Sequence, residues 1–85
     1  MKKFMVIEQF KPGAKAAIYD RFQAKGRMLP TGFAYVDSWL ECDGDRCFQL
    51  MEARERSLFD AWTQHWEDLI QFEIVELGDK PKPKA

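Results

Sequence analysis

The sequence is poor in the residues that most often announce a reaction. It has one histidine, His65, and two cysteines, Cys42 and Cys47, in 85 residues. No Cys-x-x-Cys pair occurs, and two thiols, one imidazole and scattered acids do not compose a tetrahedral metal set. No metal and no cofactor are therefore expected. With five glycines in the whole chain, there is no glycine-rich phosphate loop. A P-loop, a hydrolase nucleophile elbow and a Ser-x-x-Lys pair are also absent. Neither sign of charge is in excess: 13 basic against 14 acidic residues leave a net charge of −1. That balance gives no electrostatic footprint for nucleic acid or for an anionic membrane surface. Long apolar runs are missing too. "FMVI" at positions 4–7 is too short for the hydrophobic region of a signal peptide, and no small-residue cleavage site follows it. Nothing approaches the ~20 residues of a membrane-spanning helix. The simplest expectation is a cytoplasmic protein with reduced thiols.

What is present is a foldable core. Hydrophobic residues make up 46% of the chain and aromatics 14%, which excludes disorder for its body. The length suits one domain, residues 1–77, followed by a flexible Lys/Pro tail, 78–85. A chain of this size buries only roughly 60–65% of its unfolded surface, so its stability is marginal unless a partner adds area.

The apolar pattern divides the body into six elements. "KKFMVIEQF", 2–10, is β-like and apolar at both parities, with Phe4 and Val6 on one face and Met5 and Ile7 on the other. A strand buried on both sides reads this way. Pro12 and Gly13 end it. Residues 14–26 read as a helix through Ala14, Ile18 and Phe22, with Gly26 as the stop. Residues 27–32 form a loop. "FAYVDSWLEC", 33–42, is a second and wetter strand, and "DGDR" turns it back into "CFQLMEA", 47–53. The turn accommodates two, three or four residues. That choice fixes the face of Trp39, because a one-residue slip inverts every side chain. A second helix begins at Ser57, with Asp60 completing a weak capping box. Its apolar stripe is Leu58, Phe59, Trp62, Trp66, Leu69 and Ile70. "FEIVEL", 72–77, is the last strand.

The order strand, helix, strand, strand, helix, strand is the split βαβ pattern of a ferredoxin-like α+β fold. Strands 1 and 3 then lie in the centre of a four-stranded antiparallel sheet, with both helices on one face. The other face would leave several large apolar side chains in water. A second copy packing sheet against sheet would cover them, so a homodimer is expected, a dimeric α+β barrel.

At this point the chain resembles a known family. "GRMLPTGFAYVDSW", "DRCFQLMEA" and "LFDAWTQHWEDLIQFEIVEL" together look like DUF3303, a family of small bacterial proteins. The resemblance extends over about residues 3–77. It implies the dimeric α+β barrel group, whose members include cofactor-free monooxygenases, heme-degrading enzymes and proteins of no known reaction. It carries over no catalytic residue.

The residues themselves offer several candidates. His65 sits at the rim of the helical stripe, where one ring nitrogen is free to act as a base near neutral pH; equally, it is a boundary residue on a core helix. Trp62, Trp66 and Trp39 could wall an aromatic cavity between helices and sheet, or simply fill the core. Glu52, Asp37 and Ser38 on the strands call for a partner such as Arg21, Lys25 or Arg27, with Tyr35 as a further donor. Such a cluster would orient a substrate; exposed edge positions and one structural ion pair would explain them as well. Cys42 and Cys47 flank the turn and read as thiols, because cross-strand geometry is poor for an unstrained disulfide. Two functions follow. One is a protein that binds a small apolar or aromatic molecule between helices and sheet, cofactor-free oxygenase-like at most. Its binding residues would be Trp39, Trp62, His65, Trp66, Glu52 and Ser38. The other is a non-enzymatic dimerisation or protein-interaction module.

Overall fold

The computed structural model describes residues 1–82 of the chain. Its elements are β1 (Lys2–Phe10), α1 (Lys15–Lys25), β2 (Phe33–Leu40), β3 (Arg46–Ala53), α2 (Leu58–Thr63) and β4 (Ile70–Leu77). The sheet order is β2-β3-β1-β4, and every neighbouring pair is antiparallel. The two strands that are apolar at both parities, β1 and β3, are thus the central ones, as a ferredoxin-like α+β fold requires.

Strand alternation sorts the side chains into two faces. Phe4, Val6, Glu8 and Phe10 of β1 share one face with Cys47, Gln49, Met51 and Ala53 of β3, and all eight are buried. Both helices pack on this face. Ile18 of α1, Phe59 and Trp62 of α2 and Trp66 just beyond join the strand residues in a single core. Phe59 is its centre, meeting Phe4 and Phe33 edge-on with ring centroids 4.7 and 4.6 Å apart. Such pairs contribute about 0.5–1.5 kcal/mol each beyond burial.

The opposite face has no helix. It carries Met5, Ile7, Trp39, Phe48, Leu50 and Val75, all partly or fully exposed. Trp39 lies opposite Phe48. The turn that fixes this register spans residues 42–45, since Leu40 pairs with Cys47 and the Glu41 N–H donates to the Arg46 carbonyl at 2.8 Å. It is the longest of the three loops the sequence allows. Asp43 adopts φ 55° there, and a Cβ on Gly44 would run into the Glu41 carboxylate.

Three local differences from the sequence pattern bear on the site. First, the β2–β3 register shifts between Tyr35 and Asp37. Val36 is the extra residue of a bulge, so Tyr35 and Ser38, three apart, point to the same face. Second, α2 is short. After Thr63 the chain continues in tight turns, with His65 bonding back to Trp62 and Trp66 to Thr63, each three residues earlier. The turns keep Trp66 on the side of Trp62 and deliver Ile70 to the sheet, so β4 starts two residues before the apolar run at 72. Third, Ser57 does not cap the helix. Its hydroxyl goes to Glu55, at 3.3 Å. Residues 78–82 of the expected tail form neither helix nor strand, and residues 83–85 lie outside the described residues. No helix among the described residues is long and apolar enough to cross a membrane.

Candidate functional site

A cavity of about 260 Å³ lies between α1, the turns after α2 and the helix-covered face of the sheet. Its wall is mostly apolar, with Phe10, Ile18, Phe22, Leu40, Trp62 and Ile70 among the side chains, while Glu8, Arg27, Ser38, Cys47 and Gln49 bring polar atoms to it. This is the composition of a small-molecule site, an apolar concavity holding a few convergent polar groups.

Glu8 is the unusual member. Alternation along β1 puts it on the same inward face as Phe4, Val6 and Phe10, and it is only 8% exposed. Burial is the main influence and pushes its carboxyl from the ordinary 4.5 up to about 7, while the Cys47 thiol and the Arg27 charge pull the other way. Water would stabilise the carboxylate better than this wall does, so the acid holds its proton longer. Cys47 is its cross-strand partner. Burial, followed by the negative charge of Glu8, raises that thiol to about 11. At neutral pH Cys47 is therefore a thiol that can donate to Glu8, not a thiolate nucleophile.

Arg27 enters from the α1–β2 connection. Gly26, at φ 66°, closes α1, and Met28 follows at φ 59°, so the chain turns sharply on both sides of Arg27. Its backbone carbonyl accepts both indole N–H groups, from Trp62 at 2.9 Å and from Trp66 at 3.2 Å. The two tryptophans are thus fixed by the backbone and present only ring carbon to the cavity. The Arg27 guanidinium lies 3.5 Å from the centroid of Tyr35 and 4.9 Å from that of Phe22. The Tyr35 hydroxyl is bonded to Ser38 at 2.6 Å, a contact that the bulge at Val36 makes available.

One end of the cleft is tied by Arg21 of α1. It forms a two-pronged ion pair with Asp68 at 2.8 and 2.7 Å, donates to the His65 carbonyl at 2.7 Å and lies over the Trp66 ring. The pair holds Asp68 below the usual carboxylate range. Arg21, read from the sequence as a partner for strand acids, thus serves the turn after α2 instead.

The structure brings together Trp62, Trp66 and Ser38 of the residues expected to bind a ligand. It separates the other three. Trp39 is on the open face, 52% exposed, because its pairing with Phe48 puts it across the sheet from the helices. Glu52 is on that same open face, between Lys3 and Ala34. His65 is exposed in the turns after α2, where its backbone N–H donates to the Trp62 carbonyl and its own carbonyl accepts from Arg21. Glu8, Arg27, Cys47 and Gln49 were not among the expected ligand-binding residues. Among the described residues, no group of three or more His, Cys, Asp or Glu converges to hold a metal ion.

The fold and the cleft define a small ferredoxin-like α+β protein with a helix-covered cavity. Residues 2–77 match the family described as Domain of unknown function (DUF3303), and the chain belongs to that family. No curated protein and no solved structure gives a match.

Proposed function

We propose that the protein binds a small, largely apolar molecule in the helix–sheet cavity, with Glu8 as the group that exchanges a proton with it. The observation that carries this reading is a carboxyl 8% exposed on the wall of a mostly apolar cavity. A group that titrates near 7 populates both its forms at neutral pH. It can take a proton from an acidic C–H or O–H and return it, the property a general base needs. This is the most a cofactor-free oxygenase-like reaction would ask of the protein, and it assigns to Glu8 the part that His65 would otherwise take. Two-dimensional NMR with uncharged aromatic fragments tests it. The Trp62 and Trp66 indole N–H signals and the Glu8 and Cys47 amides should shift together. Leu40→Trp, at the exposed rim of the cavity, should abolish the shifts and leave the rest of the spectrum in place. Shifts that persist in that variant refute the location.

A second reading, dimerisation, is favoured by the open sheet face. Met5, Ile7, Trp39, Phe48, Leu50 and Val75 form an apolar surface of the kind that a second copy covers by packing sheet on sheet. Sedimentation equilibrium should then give twice the 10.0 kDa chain mass, and a monomer at high concentration would refute it. The two readings are compatible, because cavity and open face lie on opposite sides of the sheet.

A further inference from the structure

Arg27 has the geometry of a ligand-reading arginine. Its carbonyl is clamped by two indoles, so the residue cannot drift. Its guanidinium is stacked on Tyr35 and flanked by Phe22. Stacking uses the faces of the planar group and leaves its N–H fork free in the plane, the arrangement that suits two-point binding of a carboxylate. The ion pairs formed among the described residues are Arg21–Asp68 and Arg46–Glu41, and neither includes Arg27 or Glu8. Arg27 therefore carries a permanent charge on the cavity wall without a bonded counter-ion among the described residues. The remaining wall is mostly aromatic and aliphatic, and the volume of about 260 Å³ is just below the range of drug-sized ligand sites, about 300 to 1,000 Å³, so the occupant must be small.

We infer that the cavity takes a small aromatic carboxylic acid, its carboxylate paired with the Arg27 guanidinium and its ring against Trp62 and Trp66, beside the Glu8 carboxyl. The inference rests on the cavity being a ligand site, as proposed above, and names the class of ligand. It also sets a proton balance. A carboxylate brought next to Glu8 disfavours a second buried anion, so Glu8 is protonated in the bound state and takes up a proton from solvent wherever it was ionised beforehand. The other groups facing Glu8 are consistent with this. Cys47 and Gln49 come from β3, Ser38 from β2, Arg27 from the α1–β2 loop and Tyr19 from α1, whereas α2, the turns after it and β4 present the uncharged Trp62, Trp66, Ile70 and Phe72. Arg27 alone among these carries a charge that attracts the ligand.

The test uses the full chain with benzoate and 1-naphthoate, each against its uncharged amide, followed by calorimetry and by the indole N–H signals. The acid of each pair should bind at least tenfold more tightly than the amide. Arg27→Gln should remove that difference between acid and amide, and Arg27→Lys should restore part of it. Acid affinity should fall about tenfold between pH 6 and pH 8, since the proton Glu8 must take up becomes scarce above about 7, and Glu8→Gln should flatten the profile. Acid and amide binding equally, or the amide more tightly, overturns the inference while the cavity reading stands. If neither acid nor amide binds at any pH, the cavity reading falls with it.

Discussion

Glu8 ties the stability of the domain to pH in a way that can be worked out in advance. In the unfolded chain the carboxyl titrates near the ordinary 4.5, and in the folded chain near 7. Between these values the folded state holds a proton that the unfolded state has released. Stability therefore falls as pH rises through this window, from full strength below about 4.5 to a lower plateau above about 7. At about 1.36 kcal/mol per pH unit of difference, the loss between pH 4 and pH 8 is about 3 kcal/mol. Glu8→Gln keeps the size and hydrogen-bonding capacity of the side chain and removes its titration. The assay is urea unfolding of both proteins at matched concentrations, followed by tryptophan fluorescence at half-unit steps of pH. The quantity to plot is the stability of the wild type minus that of the variant, in which every other titrating group cancels. It should decline by about 3 kcal/mol from pH 4 to pH 8, with its steepest part near pH 6. A difference that is flat with pH would mean Glu8 is solvated in the folded chain, and one that rises would mean its carboxylate is stabilised there. The chemistry assigned to the cavity would then have no basis.

Further measurements bear on other parts of the structure. Phe59→Ala removes the ring that meets Phe4 and Phe33 at 1% exposure and should cost about 3–5 kcal/mol in urea unfolding; a loss below about 1 kcal/mol would refute its central place in the core. Because the Arg27 carbonyl accepts from both indoles, Trp62→Phe and Trp66→Phe should each leave it one donor. The double variant should be less stable than the summed single effects by about 1 kcal/mol, and strict additivity would refute the shared acceptor. With a thiol-reactive dye at pH 8, exposed Cys42 should react within seconds and buried Cys47, held protonated, only on unfolding; two equally fast thiols would contradict the packing of Glu8 against Cys47. Trp39→Ser on the open face should weaken self-association at least tenfold in sedimentation equilibrium while the monomer's unfolding midpoint moves little, and unchanged association would exclude sheet-on-sheet packing.

The order of elements and the sheet were legible from periodicity alone. Phe4, Met5, Val6 and Ile7 announce a strand buried on both sides, and it is central; Lys2–Phe10 is the span the pattern predicts. The site was less legible, for two physical reasons. A bulge leaves no mark in the alternation of β2, so nothing in "FAYVDSW" says that Tyr35 and Ser38 share a face. The loop at 42–45 decides between two sides for Trp39, and its length is a matter of turn geometry that "DGDR" leaves open. Glu8 is different, because its signal was present. Phe4, Val6, Glu8 and Phe10 alternate without a break, so the same period that buries the three hydrophobics buries the acid. A search for chemistry that begins from histidine and tryptophan passes over a glutamate in a strand, and the position is informative only once β1 is known to be central. His65 shows the converse. Its helical spacing suggested a rim position, but the helix stops at Thr63 and the turns beyond carry the imidazole outward.

Burial separates Glu8 from the other charged groups among the described residues. Arg21–Asp68 and Arg46–Glu41 are solvent-facing pairs of the sort that fold at little cost and contribute little. Glu8 is paid for at neutral pH. A domain of this size has a total stability of about 5–15 kcal/mol, and holding a carboxyl where it titrates near 7 uses up about 3 kcal/mol of it. A leucine or methionine on the same inward face would fill the volume without that loss. Nor does the local structure demand an acid, because the β1–β3 ladder runs through Glu8 by backbone bonds alone and Cys47 needs no acceptor to stay buried. On the proposed reading, such a group acts on something placed in the cavity beside it, between the Arg27 guanidinium and two fixed indoles. Under that reading a ring and an anion would suit those neighbours, and Glu8 is the side chain whose protonation the occupant would change.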